Sequence, residues 1–329
     1  MKIDYSGLKS VLVLRIGKIG DLVLSSFVFS SLKKINPNIK ITLITLKKNR
    51  EVLEFNTYID EIYYINKNLF SILSLLKLKF KKFDLIIDLN DNPSSTSTFL
   101  LKKLKSRHKL GFDFTRQSKY LTLKVKVPNK TQTHLIERYV KLLVESGAEI
   151  DIGEVKPEIH INPQIDNLIK YKFLEIKKHH KIISINISSG AKIRFYKSEN
   201  WINIIKEITS LMPDVKFAIL FLKSEKPYAD QIRNSFHPDL FIHSSTTNFH
   251  EFASIIKYSD LLISPDTSAI HIASATGTSI IGLYPEPEWN FVSFAPYKVK
   301  SICLRSRTEN ISEINYQDVI QAYKKLMKE

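Results

Sequence analysis

Residues 8–24 read LKSVLVLRIGKIGDLVL, and the fold is decided there. Residues 8–16 hold the Val-Leu-Val-Leu run of a buried strand. Gly17 and Gly20 follow in a turn, and Asp21 opens an amphipathic helix over 21–35 that Pro37 stops. A short apolar run passing through glycines into a helix is the start of a βαβ unit. The pattern continues outward. Strands at 39–46, 61–65 and 83–89 alternate with helices at 48–55, 69–81 and 94–104, and a helix at 134–147 has Gly147 where a C-terminal cap belongs. Residues 150–164, with Pro157 and Pro163 and little periodicity, read as a linker. A second series then places strands at 182–187, 215–222, 260–264 and 279–284 and helices at 199–211, 226–236, 249–257, 267–275 and 317–328. The expectation is an α/β chain of two doubly wound domains, 1–160 and 161–329, with ligand in a cleft beyond the carboxyl ends of their strands.

Composition narrows the class. Of 329 residues, 43% are apolar and 25% charged, which excludes a disordered or fibrous chain. The lone cysteine, Cys303, excludes an intrachain disulfide framework and any multi-cysteine metal site. No uncharged apolar run reaches 18 residues, so no transmembrane helix is expected. The first apolar run is broken by Arg15, unlike a signal peptide, so a cytoplasmic location is expected. The net charge of +16 is uneven. Residues 1–160 hold 28 Lys and Arg against 16 Asp and Glu, or +12, and the remainder 21 against 17, or +4. A basic first half suits an anionic partner, although lysine-rich composition also serves solubility alone.

With only nine glycines in the chain, their placement is informative. Around Gly17, Lys18 and Gly20, a strand ends, the chain turns, and Asp21 starts a helix. Asp21 suits a plain N-cap. It equally suits a carboxylate that takes a proton from a hydroxyl made acidic by bonding to an electrophilic carbon. After the strand at 182–187 comes Ser188-Ser189-Gly190-Ala191-Lys192-Ile193-Arg194. Ser189 and Gly190 let backbone N–H groups approach an anion, while Lys192 and Arg194 add positive charge. The third site is Ser264-Pro265-Asp266-Thr267-Ser268-Ala269-Ile270-His271. Asp266, Thr267 and Ser268 at a helix start offer free N–H groups and a favourable dipole. His271 lies one turn on, facing the same side as Thr267. A capped helix with a core histidine would look the same. Gly277 and Gly282 have P-loop spacing, but Leu283-Tyr284 stands where Lys-Ser/Thr is required. No Asp-x-Asp, metal-ligand histidine spacing or G-x-S-x-G elbow is present.

Together the three sites resemble glycosyltransferase family 9, the bacterial lipopolysaccharide heptosyltransferases. Residues 11–24 resemble the family's opening strand, Gly-Asp turn and helix. Phe83-Asp84-Leu85-Ile86-Ile87-Asp88-Leu89 resembles its YDLVIDLQ strand, and Lys109-Leu110-Gly111-Phe112-Asp113 its RIGFD stretch. Asp266-Thr267-Ser268 with His271 and Ala273 resembles its DTGxxHLA signature. The resemblance spans nearly the whole chain and implies GT-B architecture: two Rossmann-like domains, acceptor on the first and nucleotide sugar on the second. It implies inverting, metal-independent transfer without a cofactor, ADP-heptose being the usual donor. The family's catalytic aspartate falls on Asp21, its donor-binding residues on Asp266, Thr267, Ser268 and His271, and the acidic residue near its nucleoside on Glu225. The Lys-x-Trp-Pro-x-Glu-x-Trp stretch is altered. The register of Glu199 and Trp201 puts Arg194 at the phosphate-binding lysine, with Lys192 a nearby substitute. FGPTDP is replaced by Leu283-Tyr284-Pro285-Glu286-Pro287-Glu288-Trp289.

These implications make an anionic lipopolysaccharide core the expected acceptor, reached at the inner face of the cytoplasmic membrane. Residues 69–82, apolar with Lys77, Lys79, Lys81 and Lys82, are the stretch suited to touch that surface, though such a helix more often packs on a sheet. A nucleotide-sugar epimerase or hydrolase on the same scaffold is the rival, and an epimerase needs no acceptor. Nucleic acid is not expected: charge alone suggests it, and no helix-turn-helix, zinc-finger or RNP pattern occurs.

Overall fold

Val11, Leu12, Val13 and Leu14 are wholly buried because their strand has a parallel neighbour on each side and is covered on both faces. The computed structural model describes residues 2–66, 68–243 and 248–328. It divides into two compact units, Met1–His160 and Ile161–Glu329.

In the first unit the elements run β1 (Ser10–Arg15), α1 (Ile19–Ser25), α2 (Phe27–Ile35), β2 (Lys40–Leu46), α3 (Arg50–Leu53), β3 (Glu61–Ile65), α4 (Leu69–Leu73), β4 (Phe83–Asp88), α5 (Ser95–Lys103), β5 (Ser106–Phe112), β6 (Leu123–Val125) and α6 (Leu135–Ser146). Among the described residues the strands form one parallel sheet in the order β3-β2-β1-β4-β5-β6. Val11 pairs with Ile41 on one side and Leu85 on the other. Each such side chain contributes on the order of 1.5–3 kcal/mol by leaving water, so a charge at Leu12 or Leu14 would break this sheet at its centre.

The second unit begins with α7 (Pro163–Lys177) and continues through β7 (Lys181–Asn186), α8 (Ser198–Leu211), β8 (Val215–Leu220), α9 (Lys226–Arg233), β9 (Phe241–His243), α10 (Phe249–Tyr258), β10 (Leu261–Pro265), α11 (Ser268–Thr276), β11 (Ser279–Tyr284), α12 (Glu288–Phe294), β12 (Ser301–Arg305) and α13 (Tyr316–Lys328). Its parallel sheet runs β12-β11-β10-β7-β8-β9, which is the order of the first sheet read from the other edge. In each unit the winding direction reverses beside the first strand, between β1 and β4 and between β7 and β10. The carboxyl ends of those strand pairs are where open α/β sheets bind ligands.

The structure revises several expected elements. The helix over 21–35 is two helices, divided at Ser26. The Ser26 N–H bonds to the Val23 carbonyl three residues back, its hydroxyl donates to the same oxygen, and that hydroxyl accepts from the Glu158 N–H at 2.6 Å. A side chain competing for a backbone acceptor tightens and turns the helix there. The expected linker ends in α7, whose N-cap is Asn162 and whose first residue is Pro163, the position where proline costs a helix nothing. Over 69–81, only Leu69–Leu73 is α-helical, and Ser74–Phe80 winds as a 3-10 helix. Gly147 caps α6 in the left-handed conformation, at φ 115°, as expected.

Candidate active site

β1 delivers Arg15 to its carboxyl end, and the Ile16 N–H donates to Asn90 Oδ1 at 3.1 Å, tying the β1 end to the loop after β4. The chain passes through Gly17 and the extended Lys18 into α1. A Cβ on Gly17 would lie 2.7 Å from Asp21 Oδ2 and 3.0 Å from Arg15 Nη1, so any larger residue there would displace the Asp21 carboxylate or the Arg15 guanidinium. Asp21 is the third residue of α1 rather than its opener. From there Oδ2 reaches back to accept the Lys18 N–H at 2.8 Å, the usual task of an acid at that position. Arg15 Nη2 stands 3.3 Å from Oδ1. Asp21 keeps 24% of its side chain exposed, whereas Arg15 keeps 3%. A carboxylate has about four lone-pair positions, so two remain open on a partly exposed group.

Beneath Asp21 lies a buried polar cluster that the sequence reading did not identify. Asp88 Oδ1 accepts from Asn90 Nδ2 at 2.6 Å and Oδ2 from Gln117 Nε2 at 2.9 Å. Burial nevertheless pushes its carboxyl above the ordinary range. Asp91 faces Arg138 Nη2 at 3.4 Å and Lys130 Nζ at 3.5 Å. The signal was present: Arg15 interrupts an apolar run, and Arg138 sits on the apolar face of α6, fully buried.

In the second unit the loops after β7 and β10 are stitched together. Asn186, the last residue of β7, donates from Nδ2 to Ser264 Oγ at 2.9 Å and Thr267 Oγ1 at 3.0 Å. Gly190 has φ 63°, and open space surrounds its Cβ position. It is there for the left-handed turn, not for close packing. That turn leads to Arg194, whose Nη1 lies 3.3 Å from Asp266 Oδ2 and also donates to the Asp266 carbonyl. Asp266 is buried and accepts from Asn290 Nδ2 at 2.8 Å as well. Thr267 is the N-cap of α11, accepting the Ala269 N–H, and Ser268 is the first helical residue. Glu225 accepts the Leu222 N–H at 2.9 Å and the Ser188 hydroxyl, which fixes it beside the β7 loop. His271 is buried one turn into α11, and its Nδ1 has no hydrogen-bond partner. Burial, reinforced by the Arg194 charge, pushes its pKa down to about 4, so the ring is neutral at pH 7.

The structure therefore brings Ser189, Gly190, Arg194, Asp266, Thr267 and Ser268 together where the chain leaves β7 and β10, with His271 one turn into α11 and Glu225, in the turn after β8, joined to the β7 loop through the Ser188 hydroxyl. Lys192 is exposed on the one-turn 3-10 helix that carries Arg194; Arg194 is the cation held against Asp266. Asn186 and Asn290 were missed as site-builders, since single polar residues next to strands and helices carry no spacing signal, and Ser188, inside the 188–194 loop, had no role of its own until Glu225 accepted its hydroxyl. Among the described residues, no three His, Cys, Asp or Glu side chains gather to hold a metal ion. No helix there is long and apolar enough to cross a membrane.

Comparison with known proteins bears on the family and the fold. The family model "Glycosyltransferase family 9 (heptosyltransferase)" matches residues 74–324. The chain is 26% identical to the putative lipopolysaccharide heptosyltransferase 4 of Escherichia coli K12, over 98% of this chain and 88% of that one. Its fold matches a family 9 glycosyltransferase from Veillonella parvula at TM-score 0.83, with 20% identity and 100% and 99% of the two chains covered. It also matches E. coli heptosyltransferase WaaC, solved with ADP-2-deoxy-2-fluoro heptose, at TM-score 0.74, with 14% identity and 96% and 99% coverage. A UDP-GlcNAc 2-epimerase from Methanocaldococcus jannaschii shares the fold more distantly, at TM-score 0.55 with 14% identity and 97% and 92% coverage. The two Rossmann-like units are those of the GT-B class, and with its family model covering three quarters of the sequence, the chain belongs to glycosyltransferase family 9, the heptosyltransferase family.

Proposed function

We propose that this enzyme transfers heptose from ADP-heptose to a lipopolysaccharide core acceptor, with inversion and without a metal ion, residues 161–329 holding the donor and residues 1–160 the acceptor. The observation that carries the reading is the Arg194–Asp266 pair at the β7–β10 reversal. It sets a guanidinium beside the start of α11, where the first N–H groups lack intrahelical partners and the helix dipole favours an anion. The diphosphate lies against Ser189, Gly190 and Ser268, and Arg194 stabilises the charge that builds on it as it departs. Glu225 serves the nucleoside end, and the neutral His271 ring offers Nδ1 to the bound donor.

Asp21 is the base. The acceptor hydroxyl gives its proton to the Asp21 carboxylate, and its oxygen forms the new bond to the anomeric carbon. The bond from that carbon to the diphosphate breaks, its electron pair leaves with ADP, and attack from the opposite face inverts the configuration. Arg15 and the Lys18 N–H hold the carboxylate in one orientation, and Gly17, Lys18 and Gly20 form the acceptor-side loop. The +12 charge of residues 1–160 supports an anionic acceptor, met in the cytoplasm at the inner face of the membrane. Asp21→Asn tests the assignment. It should lower kcat by about 10²–10⁴ with ADP affinity unchanged, and turnover near that of the unaltered enzyme refutes Asp21 as the base.

A further inference from the structure

We infer that α4 and the 3-10 turns after it, together with the C-terminal end of α5, form a docking surface for a bilayer rich in anionic phospholipid. At three residues per turn, positions 75 and 78 stack on one side of the 3-10 segment, and 77 and 80 on another. Leu75 and Leu78 are buried in the same apolar cluster as Leu100, Leu101 and Leu104 of the α5 end. Phe80, on the other side, is 88% exposed, Phe70 is 86% exposed, and Leu73 is exposed between them. Two phenylalanines held in water by a segment that already has its buried anchors contribute nothing to the core.

The charge carried by these two segments is of one sign. No Asp or Glu occurs from residue 62 to 83 or from 92 to 112. Glu61, at the border, is paired with Lys81, and Lys77 lies over the Tyr63 ring. Lys79 and Lys82 remain exposed, as do Lys102, Lys103 and Lys105 on the adjoining α5 end. Protruding apolar side chains ringed by lysines fit an interface where rings enter the acyl boundary and ammonium groups meet lipid phosphates. A nucleic acid would answer the lysines but not Leu73, and a protein partner of matching acidity would not require a run of one-signed charge on both segments. The proposed function supplies only the identity of the membrane, that of the acceptor; binding needs no turnover.

Sedimentation with phosphatidylcholine vesicles, with and without phosphatidylglycerol, tests it on the full chain. Binding should require phosphatidylglycerol. Phe70→Ser with Phe80→Ser should lower the partition coefficient at least about tenfold, and each of Lys79→Glu and Lys82→Glu about fivefold or more. ADP-induced thermal stabilisation kept in every variant shows that the fold is intact. Leu168 and Tyr171 on α7 are 70% and 73% exposed, but Asp166 and Glu175 interleave the lysines there, so serines at both should leave binding unchanged. The inference is overturned by equal binding to both vesicles, by none, by an unaffected Phe70/Phe80 variant, by an equal loss in the α7 control, or by duplex DNA retention without vesicle binding. Failed sugar transfer with vesicle binding intact would count against the proposed function and leave this surface standing.

Discussion

Acidification should loosen the second unit through His271. Its pKa is held at about 4 by burial and then by Arg194, against about 6.5 in an unfolded chain. Between those values the unfolded state binds the proton and the folded state does not, so stability is complete above pH 6.5 and falls as pH drops toward 4. The loss works out to roughly 1 kcal/mol at pH 5.5 and 2–3 kcal/mol at pH 4.5. Both tryptophans lie in this unit, Trp201 fully buried and Trp289 half exposed. With Trp289→Phe as background, Trp201 fluorescence in urea follows the unfolding of residues 161–329. The same titration on His271→Gln removes every other titrating group from the difference between the two proteins. That difference should grow toward acid by the amounts given and be flat above pH 7. Adding Arg194→Ala should shrink it, because one of the two causes is gone. A difference independent of pH refutes the buried, neutral, unpartnered ring.

Other outcomes follow from the same geometry. Arg194→Ala should raise the Kd for ADP about 10–100-fold, the worth of a charge-assisted contact to a diphosphate, whereas Lys192→Ala should change it little; isothermal titration compares them, and the reverse ranking refutes the assignment. Gly17→Ala places a methyl 2.7 Å from Asp21 Oδ2, so kcat should fall while ADP affinity holds, and an unaltered kcat shows that the carboxylate needs no fixed position.

Much of this site was readable because glycine is scarce and its positions are specific. Gly17, Gly190 and the Asp266–Ser268 helix start each follow an apolar run, and each run is a central strand beside a reversal. What stayed hidden depended on partners distant in sequence. Asp21 reads as a helix opener until Lys18 takes that place and the carboxylate turns back on it. Ser26 gives no warning of a break, since the break needs Glu158 to engage its hydroxyl. β5 is SRHKLGF, with too many polar residues to read as a strand until it is paired with β4. α7 carries Ile169 and Phe173 toward the core but Leu168 and Tyr171 outward, which blurs its period. The cluster of Asp88, Asp91, Gln117 and Arg138 joins three separate segments, so spacing along the chain did not group them, although Arg15 and Arg138 each stand out singly in an apolar pattern.

The central claim is tested most directly by incubating the enzyme with ADP-heptose and a heptose-deficient lipopolysaccharide core, with a chelator present, and determining the anomeric configuration of the product. The account predicts one ADP released per heptose added to the acceptor, with configuration inverted and the rate unaffected by the chelator. Retained configuration, or a donor converted equally well when the acceptor is left out, would contradict it.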